Sequence, residues 1–193
     1  RLDITKSRVI TLTCHRRENY GAPMEQIMAA VRTLVEENPQ VEVVYPVHLS
    51  PVVQDCARRF LDGLPRVHLI APLDVAQMHN LLARSYLVLT DSGGLQEEAP
   101  ALGKPVLVLR RETERPEAIA AGTVRLAGVE TEQIVAMTHE LLKDEQAYAG
   151  MARAVNPYGD GNACRRIADA IAWHFGLTQC RPENFETGFS LPL

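Results

Sequence analysis

A chain of 193 residues, 46% of them hydrophobic, can bury a sizeable core and is about the length of one domain. Its formal net charge of −4 excludes general affinity for nucleic acid or an anionic membrane, so any bound anion must be met by a local group of residues. The four cysteines, Cys14, Cys56, Cys164 and Cys180, are widely spaced, without zinc-site pairing or disulfide-scaffold density. Reduced thiols and a cytoplasmic location are the expectation, and no apolar run approaches the roughly 20 residues of a membrane span. The chain opens on Arg1 and passes almost directly into a strand pattern, as expected if sequence upstream has been removed.

Taken in order, runs rich in Val, Ile and Leu at Val9–Cys14, Val41–Pro46, Val67–Ile70, Leu87–Thr90, Val106–Leu109 and Val124–Ala127 show little polar alternation, the signature of strands buried on both faces. Helical patterns lie between them. Met24, Ile27, Met28, Val31, Leu34 and Val35 form one apolar stripe. Further helix starts are marked by Ser50-Pro51, by Asp74 before Val75–Ala83, and by Thr131 before Ile134–Lys143. Ala163–Phe175 reads as a last long helix and Thr178–Leu193 as a tail. Strand and helix in alternation predict right-handed crossovers and an α/β fold with a doubly wound parallel sheet, Rossmann-like, in which ligands sit beyond the carboxyl ends of the strands.

Four loops at that edge carry the candidate chemistry. His15-Arg16-Arg17-Glu18-Asn19 follows the first strand and reads either as an anion site or as a solvated, helix-capping loop. His48 follows the second strand, where a lone histidine is often structural. After the fourth strand comes Asp91-Ser92-Gly93-Gly94-Leu95-Gln96-Glu97-Glu98. Ser92, Gly93 and Gly94 let a phosphate approach the positive start of the next helix, and Glu98, farther along it, is placed to bond ribose hydroxyls. The plainer alternative is a surface turn with two solvated glutamates. Arg110, Arg111 and Arg115 follow the fifth strand and suit pyrophosphate oxygens, although mixed Arg and Glu also make a self-neutralising surface. Asn156–Asn162 reads as a turn and cap. P-loop, dinucleotide, hydrolase-elbow and zinc-protease motifs are absent from the sequence.

Together, HRREN at 15–19, PVHLSP at 46–51, DSGGLQEEAP at 91–100, TERPEA at 113–118 and NPYGDG at 156–161 resemble the bacterial non-hydrolysing UDP-N-acetylglucosamine 2-epimerases over roughly residues 8–175. The resemblance is to the C-terminal half of a two-domain, glycosyltransferase-B-like fold. It implies a UDP-binding domain over 1–177, a tail over 178–193, and an N-terminal domain absent here that supplies the acidic residues for proton transfer at C2. It also implies elimination of UDP to a 2-acetamidoglucal and re-addition to give UDP-N-acetylmannosamine, with no metal or redox cofactor. Full-length members are commonly homodimers that serve cell-surface polysaccharide synthesis.

By matched position, Ser92, Gly93, Gly94 and Arg115 fall to the diphosphate and Glu98 to the ribose. His15 falls to the UDP side of the active site, where its positive form would steady the departing UDP. Arg16 and His48 fall to an allosteric site for a second UDP-N-acetylglucosamine. Ser50 departs from the Asn of the family's PxHxNP pattern. A glycosyltransferase of the same fold, a hydrolysing epimerase, and a non-catalytic UDP-sugar-binding module are the competing readings.

Overall fold

The computed structural model describes residues 7–184. Six parallel strands, β1 (Arg8–Thr13), β2 (Val41–Pro46), β3 (Val67–Ile70), β4 (Leu87–Thr90), β5 (Val106–Val108) and β6 (Val124–Leu126), form one sheet in the order β3-β2-β1-β4-β5-β6. Sequence and structure agree on every strand to within a residue at either end. The α/β, doubly wound expectation is met, and the chain reverses its direction of growth between β1 and β4.

The alternation of side chains along the central strands shows why both faces are covered. Leu87, Leu89, Leu107 and Leu109 enter the core beneath α1 (Ala22–Glu37), α2 (Pro51–Leu61) and α6 (Thr131–Lys143). Val88, Val106 and Val108 enter a second core with Leu82 of α3 (Val75–Arg84), Leu95 and Ala99 of α4 (Gly93–Ala101), and Ala118 of α5 (Pro116–Ala120). A strand with apolar residues at every position has no wet face to offer, so helices on both sides are obligatory. The β1–β4 contact is also stapled by hydroxyl pairs, Thr11 with Ser85 and Thr13 with Thr90, each at 2.6 Å.

Local signals mostly act as read. Asp74 caps α3 in a reciprocal box with Gln77. Thr131 does not cap α6: Glu130 holds the cap position, and the Thr131 hydroxyl donates instead to the Gln26 carbonyl on α1 at 2.8 Å. A further helix, α7 (Glu145–Ala152), is capped by Asp144, whose carboxylate accepts from Gln146 N and Ala147 N. The last helix, α8 (Ala163–His174), ends one residue before the expected Phe175 and buries none of its residues. Residues 178–184 carry neither helix nor strand, and the rest of the expected tail lies outside the described residues. All four cysteines are free, Cys14 and Cys56 buried, Cys164 and Cys180 exposed.

Candidate functional site

The carboxyl ends of β1 and β4 meet at the reversal point, where ligands of doubly wound sheets bind. The loops leaving them are tied together by one buried carboxylate. Asp91, fully buried, accepts at Oδ2 from the backbone N–H groups of His15 and Arg16, at 2.8 and 2.7 Å, and from Asn19 Nδ2 at 3.2 Å. The Asn19 amide also donates to the Leu109 carbonyl at 3.0 Å, bringing the end of β5 into the same knot. Asp91 thus performs in the first loop the pinning that a helix cap performs at a terminus. The sequence alone gives Asp91 no evident task, because its partners lie more than 70 positions away.

Helix α4 starts directly beyond. Ser92 holds the cap position but its hydroxyl makes no capping bond, and the first turn contains no acidic residue. Its N–H groups therefore present their positive end outward. A Cβ on Gly93 would lie 3.6 Å from Arg16 Nη2 and 3.8 Å from both Arg115 Nη2 and Glu114 Oε2. Neither Gly93 nor Gly94 has a positive φ, so the backbone does not require glycine at either place. What the missing side chains leave is space at the helix start, with two guanidinium tips beside it.

Glu98 stands over the same turn. Its Oε1 is 3.4 Å from where a Gly94 Cβ would be, and its Oε2 meets His79 Nε2 of α3 at 3.1 Å. His79 is a second site residue that the sequence did not single out; its signal would have been a histidine on the neighbouring helix at the same edge. Glu97, one position earlier, turns aside and pairs with Arg115 Nε. The TERPEA loop is further fixed by Thr113, whose hydroxyl donates to Gln96 Oε1 at 2.6 Å and accepts from Arg115 N at 3.1 Å.

Arg110 is only 7% exposed and is held by carboxylates from two loops, Glu18 from the first and Glu114 from its own. It is a buried fastener between loops. Arg111 is exposed and reaches Glu130 on the surface. The bonds from Arg110 hold the Glu114 carboxyl below the usual range, with smaller help from Arg16 and Arg115.

His15, half-buried, and His48, exposed, bring their rings to a centroid separation of 5.3 Å at a tilt of 31°. The Ser50 N–H donates to His48 Nδ1 at 3.0 Å, so in the neutral ring Nε2 carries the proton. Arg16 and His48, grouped together in the sequence reading, diverge here. Arg16 turns to Gly93 beside Arg115, donating from Nε to the Asp91 carbonyl at 3.2 Å, while His48 stays with His15. Among the described residues no cluster of His, Cys, Asp or Glu is arranged to hold a metal ion, and no helix is long and apolar enough to cross a membrane.

The family model described as UDP-N-acetylglucosamine 2-epimerase matches residues 1–172. The chain belongs to that family. It is 51% identical over 182 residues to the UDP-N-acetylglucosamine 2-epimerase of Bacillus subtilis, covering 94% of this chain and 48% of that protein. Among solved structures it is similar to S. aureus MnaA in complex with UDP, with a TM-score of 0.90 and 45% identity over 95% of this chain and 50% of that one. It is also similar to the Neisseria meningitidis UDP-GlcNAc 2-epimerase bound to UDP-GlcNAc, with a TM-score of 0.83 and 44% identity over 86% of this chain and 45% of that one. The C-terminal domain of a group 1 glycosyl transferase from Francisella tularensis shares the fold alone, with a TM-score of 0.59 at 14% identity. The chain spans about half the length of the curated relatives it matches.

Proposed function

We propose that this chain is the UDP-gripping half of a non-hydrolysing UDP-N-acetylglucosamine 2-epimerase. The observation that carries the reading is the start of α4, where Gly93 lacks a side chain, the first turn lacks acid, and Arg16 and Arg115 bring two guanidiniums against one carboxylate, Glu114, which Arg110 already holds. Two cations beside a helix start match the two phosphoryl groups of a nucleoside diphosphate better than a single phosphate. Ser92, Gly93, Gly94 and Arg115 hold the diphosphate. Glu98, steadied by His79 at one oxygen, bonds the ribose with the other. Arg16 joins the diphosphate set in this geometry, and His48 is left to the second, allosteric nucleotide-sugar site.

In the reaction a base of the missing half removes the proton from C2 while the C1–O bond breaks, and UDP leaves with the electron pair. The 2-acetamidoglucal then takes UDP back at C1 and a proton at the opposite face of C2, giving UDP-N-acetylmannosamine. Negative charge grows on the departing diphosphate; Arg16, Arg115 and the helix start are placed to stabilise it, and by matched position His15 joins them. Glu97, paired with Arg115, and Glu98, paired with His79 and given to the ribose, are poor candidates for the C2 base. The nucleotide domain runs to about residue 177.

Helix α8 supports the same division. Ile167 and Ile171, one turn apart on α8, are 59% and 53% exposed, and the N-terminal half is the proposed cover of that face; Trp173 lies on another face, with Arg181 over its ring. The full enzyme is proposed to work as a cytoplasmic homodimer.

The test is conversion of UDP-N-acetylglucosamine by the 193-residue chain alone and by the same chain preceded by a family N-terminal half. The joined protein is expected to interconvert the two UDP-sugars, and the chain alone to give no turnover. Turnover by the chain alone contradicts the half-site reading. Release of free N-acetylmannosamine would mark a hydrolysing enzyme, and dependence on an added acceptor a transferase.

A further inference from the structure

Asp91 does more than its hydrogen bonds to the first loop require. Its Oδ2 takes three N–H donors, but Oδ1, equally buried, has no hydrogen-bond partner. A bare oxygen on a buried carboxylate is costly, and such a group calls for a specific explanation. The Cys14 thiol is a neutral neighbour of the same carboxylate, and the group that can bring it a positive charge is the His15 ring, whose Nε2 lies 4.0 Å from Oδ1.

We propose that Asp91 is a positioning residue for His15: the unpaired carboxylate oxygen orients the imidazole and favours its protonated form, so that a cation faces the departing diphosphate. This rests on the reading of His15 as a group that meets the nucleotide. The arrangement resembles in logic the carboxylate that orients the histidine of a hydrolytic triad, where the acid stays ionised and the ring carries the charge.

The surroundings leave His15 as the natural counter-charge. Burial, with the nearby Asp91 charge, pushes the Cys14 thiol well up, and burial pushes the Tyr45 phenol up, so neither ionises in the neutral range. Tyr45 spends its hydroxyl proton on the Cys14 carbonyl at 2.6 Å. The His48 ring, 5.3 Å away, gains nothing from a second positive charge beside it. Arg16 directs its guanidinium to the Asp91 carbonyl and Gly93 rather than to Oδ1. Of the groups that face His15, the Asp91 carboxylate is the one that brings an opposite charge to the ring.

The experiment follows the His15 ring by NMR through a pH titration in the wild-type chain and in Asp91→Asn, which keeps an acceptor for the amides but removes the charge. An opposite charge at this distance moves a titration by about one pH unit or more, so the His15 midpoint is expected to fall by that much in the variant. His79 and His139, paired with Glu98 and Glu37, are internal controls that should not move. A purely structural Asp91 would alter melting and leave the His15 midpoint in step with the controls, and that result overturns the proposal.

Should Asp91→Asn fail to fold, the reciprocal variant His15→Gln removes a half-buried ring, and the Asp91 carboxyl carbon is followed instead. Coupling is mutual, so its titration is expected to rise by a comparable shift, and an unmoved carboxyl overturns the proposal equally. No nucleotide is present in either titration. Coupling without UDP binding would therefore count against the nucleotide site alone, and UDP binding without coupling against the positioning role alone.

Discussion

Replacing Gly93 by alanine leaves the fold intact and removes most of the affinity for UDP. The two effects separate because nothing in the unliganded protein needs glycine there. The backbone angle is ordinary, and an added Cβ meets its nearest atoms at 3.6 to 3.8 Å, which is normal contact. Within a helix the change stabilises by up to about 0.5–1 kcal/mol, since the unfolded chain loses freedom and helix propensity rises. The same methyl occupies the space in which a phosphate would meet the first N–H groups of α4. Losing two charge-assisted bonds of about 1.5 kcal/mol each lowers affinity roughly 100-fold. Thermal melting and UDP titration of the one variant read both effects, and a Gly93→Ala protein that melts as well as wild type yet binds UDP equally would place the phosphates elsewhere.

Arg110→Met acts in the opposite sense, through the scaffold. The guanidinium is nearly buried and ties Glu18 to Glu114, so its removal frees both carboxylates and parts the first loop from the TERPEA loop. Breaking a buried pair costs several kcal/mol when the stranded charge is buried too. Here the carboxylates are about half exposed and can rehydrate, so roughly 2 kcal/mol is expected, read by chemical denaturation at neutral pH. Glu114, no longer held by Arg110, also becomes free to pair with Arg16 and Arg115 and compete with an anionic ligand.

The pH dependence has a definite sign. Because the Glu114 carboxyl is held below its unfolded value, its contribution is complete above about pH 5 and is lost as pH falls through the unfolded and then the folded value. Wild type should therefore shed part of its stability on acidification below about pH 5, and Arg110→Met should shed less. Equal acid limbs in the two proteins would mean that the Arg110–Glu114 pair contributes little.

Most of the fold was legible because fully apolar runs such as Leu87–Thr90 belong in doubly covered parallel strands, and the helices between them left few alternatives. What local sequence did not contain was the order of the strands. His15 and Asp91 become neighbours only because β4 lies beside β1, and periodicity is silent on that pairing. The motifs therefore marked Ser92, Gly93 and Glu98, which act through their own helix, and left unassigned the residue that joins two loops. The same limit explains Arg110. Its place in a run of Arg and Glu reads equally as solvated or buried, and only the position of Glu18 across the sheet edge decides.

Helix α7 was missed for a different reason. It buries only Met151, so it carries no apolar stripe, and its one signal is the Asp144 cap. Thr131 shows the converse: a good capping residue was drawn away because Gln26 offered its hydroxyl a partner on the adjacent helix, and Glu130 took the cap position.

On this reading the chain alone forms a nucleoside diphosphate site at the start of α4, with Glu98 reading the ribose. Calorimetric titration of the 193-residue chain with UDP, beside Glu98→Ala and with a nicotinamide dinucleotide as control ligand, tests it most directly. Saturable UDP binding is expected that weakens at least tenfold in Glu98→Ala, with no binding of the dinucleotide. Absence of UDP binding at millimolar ligand, or equal binding by the variant, would contradict it.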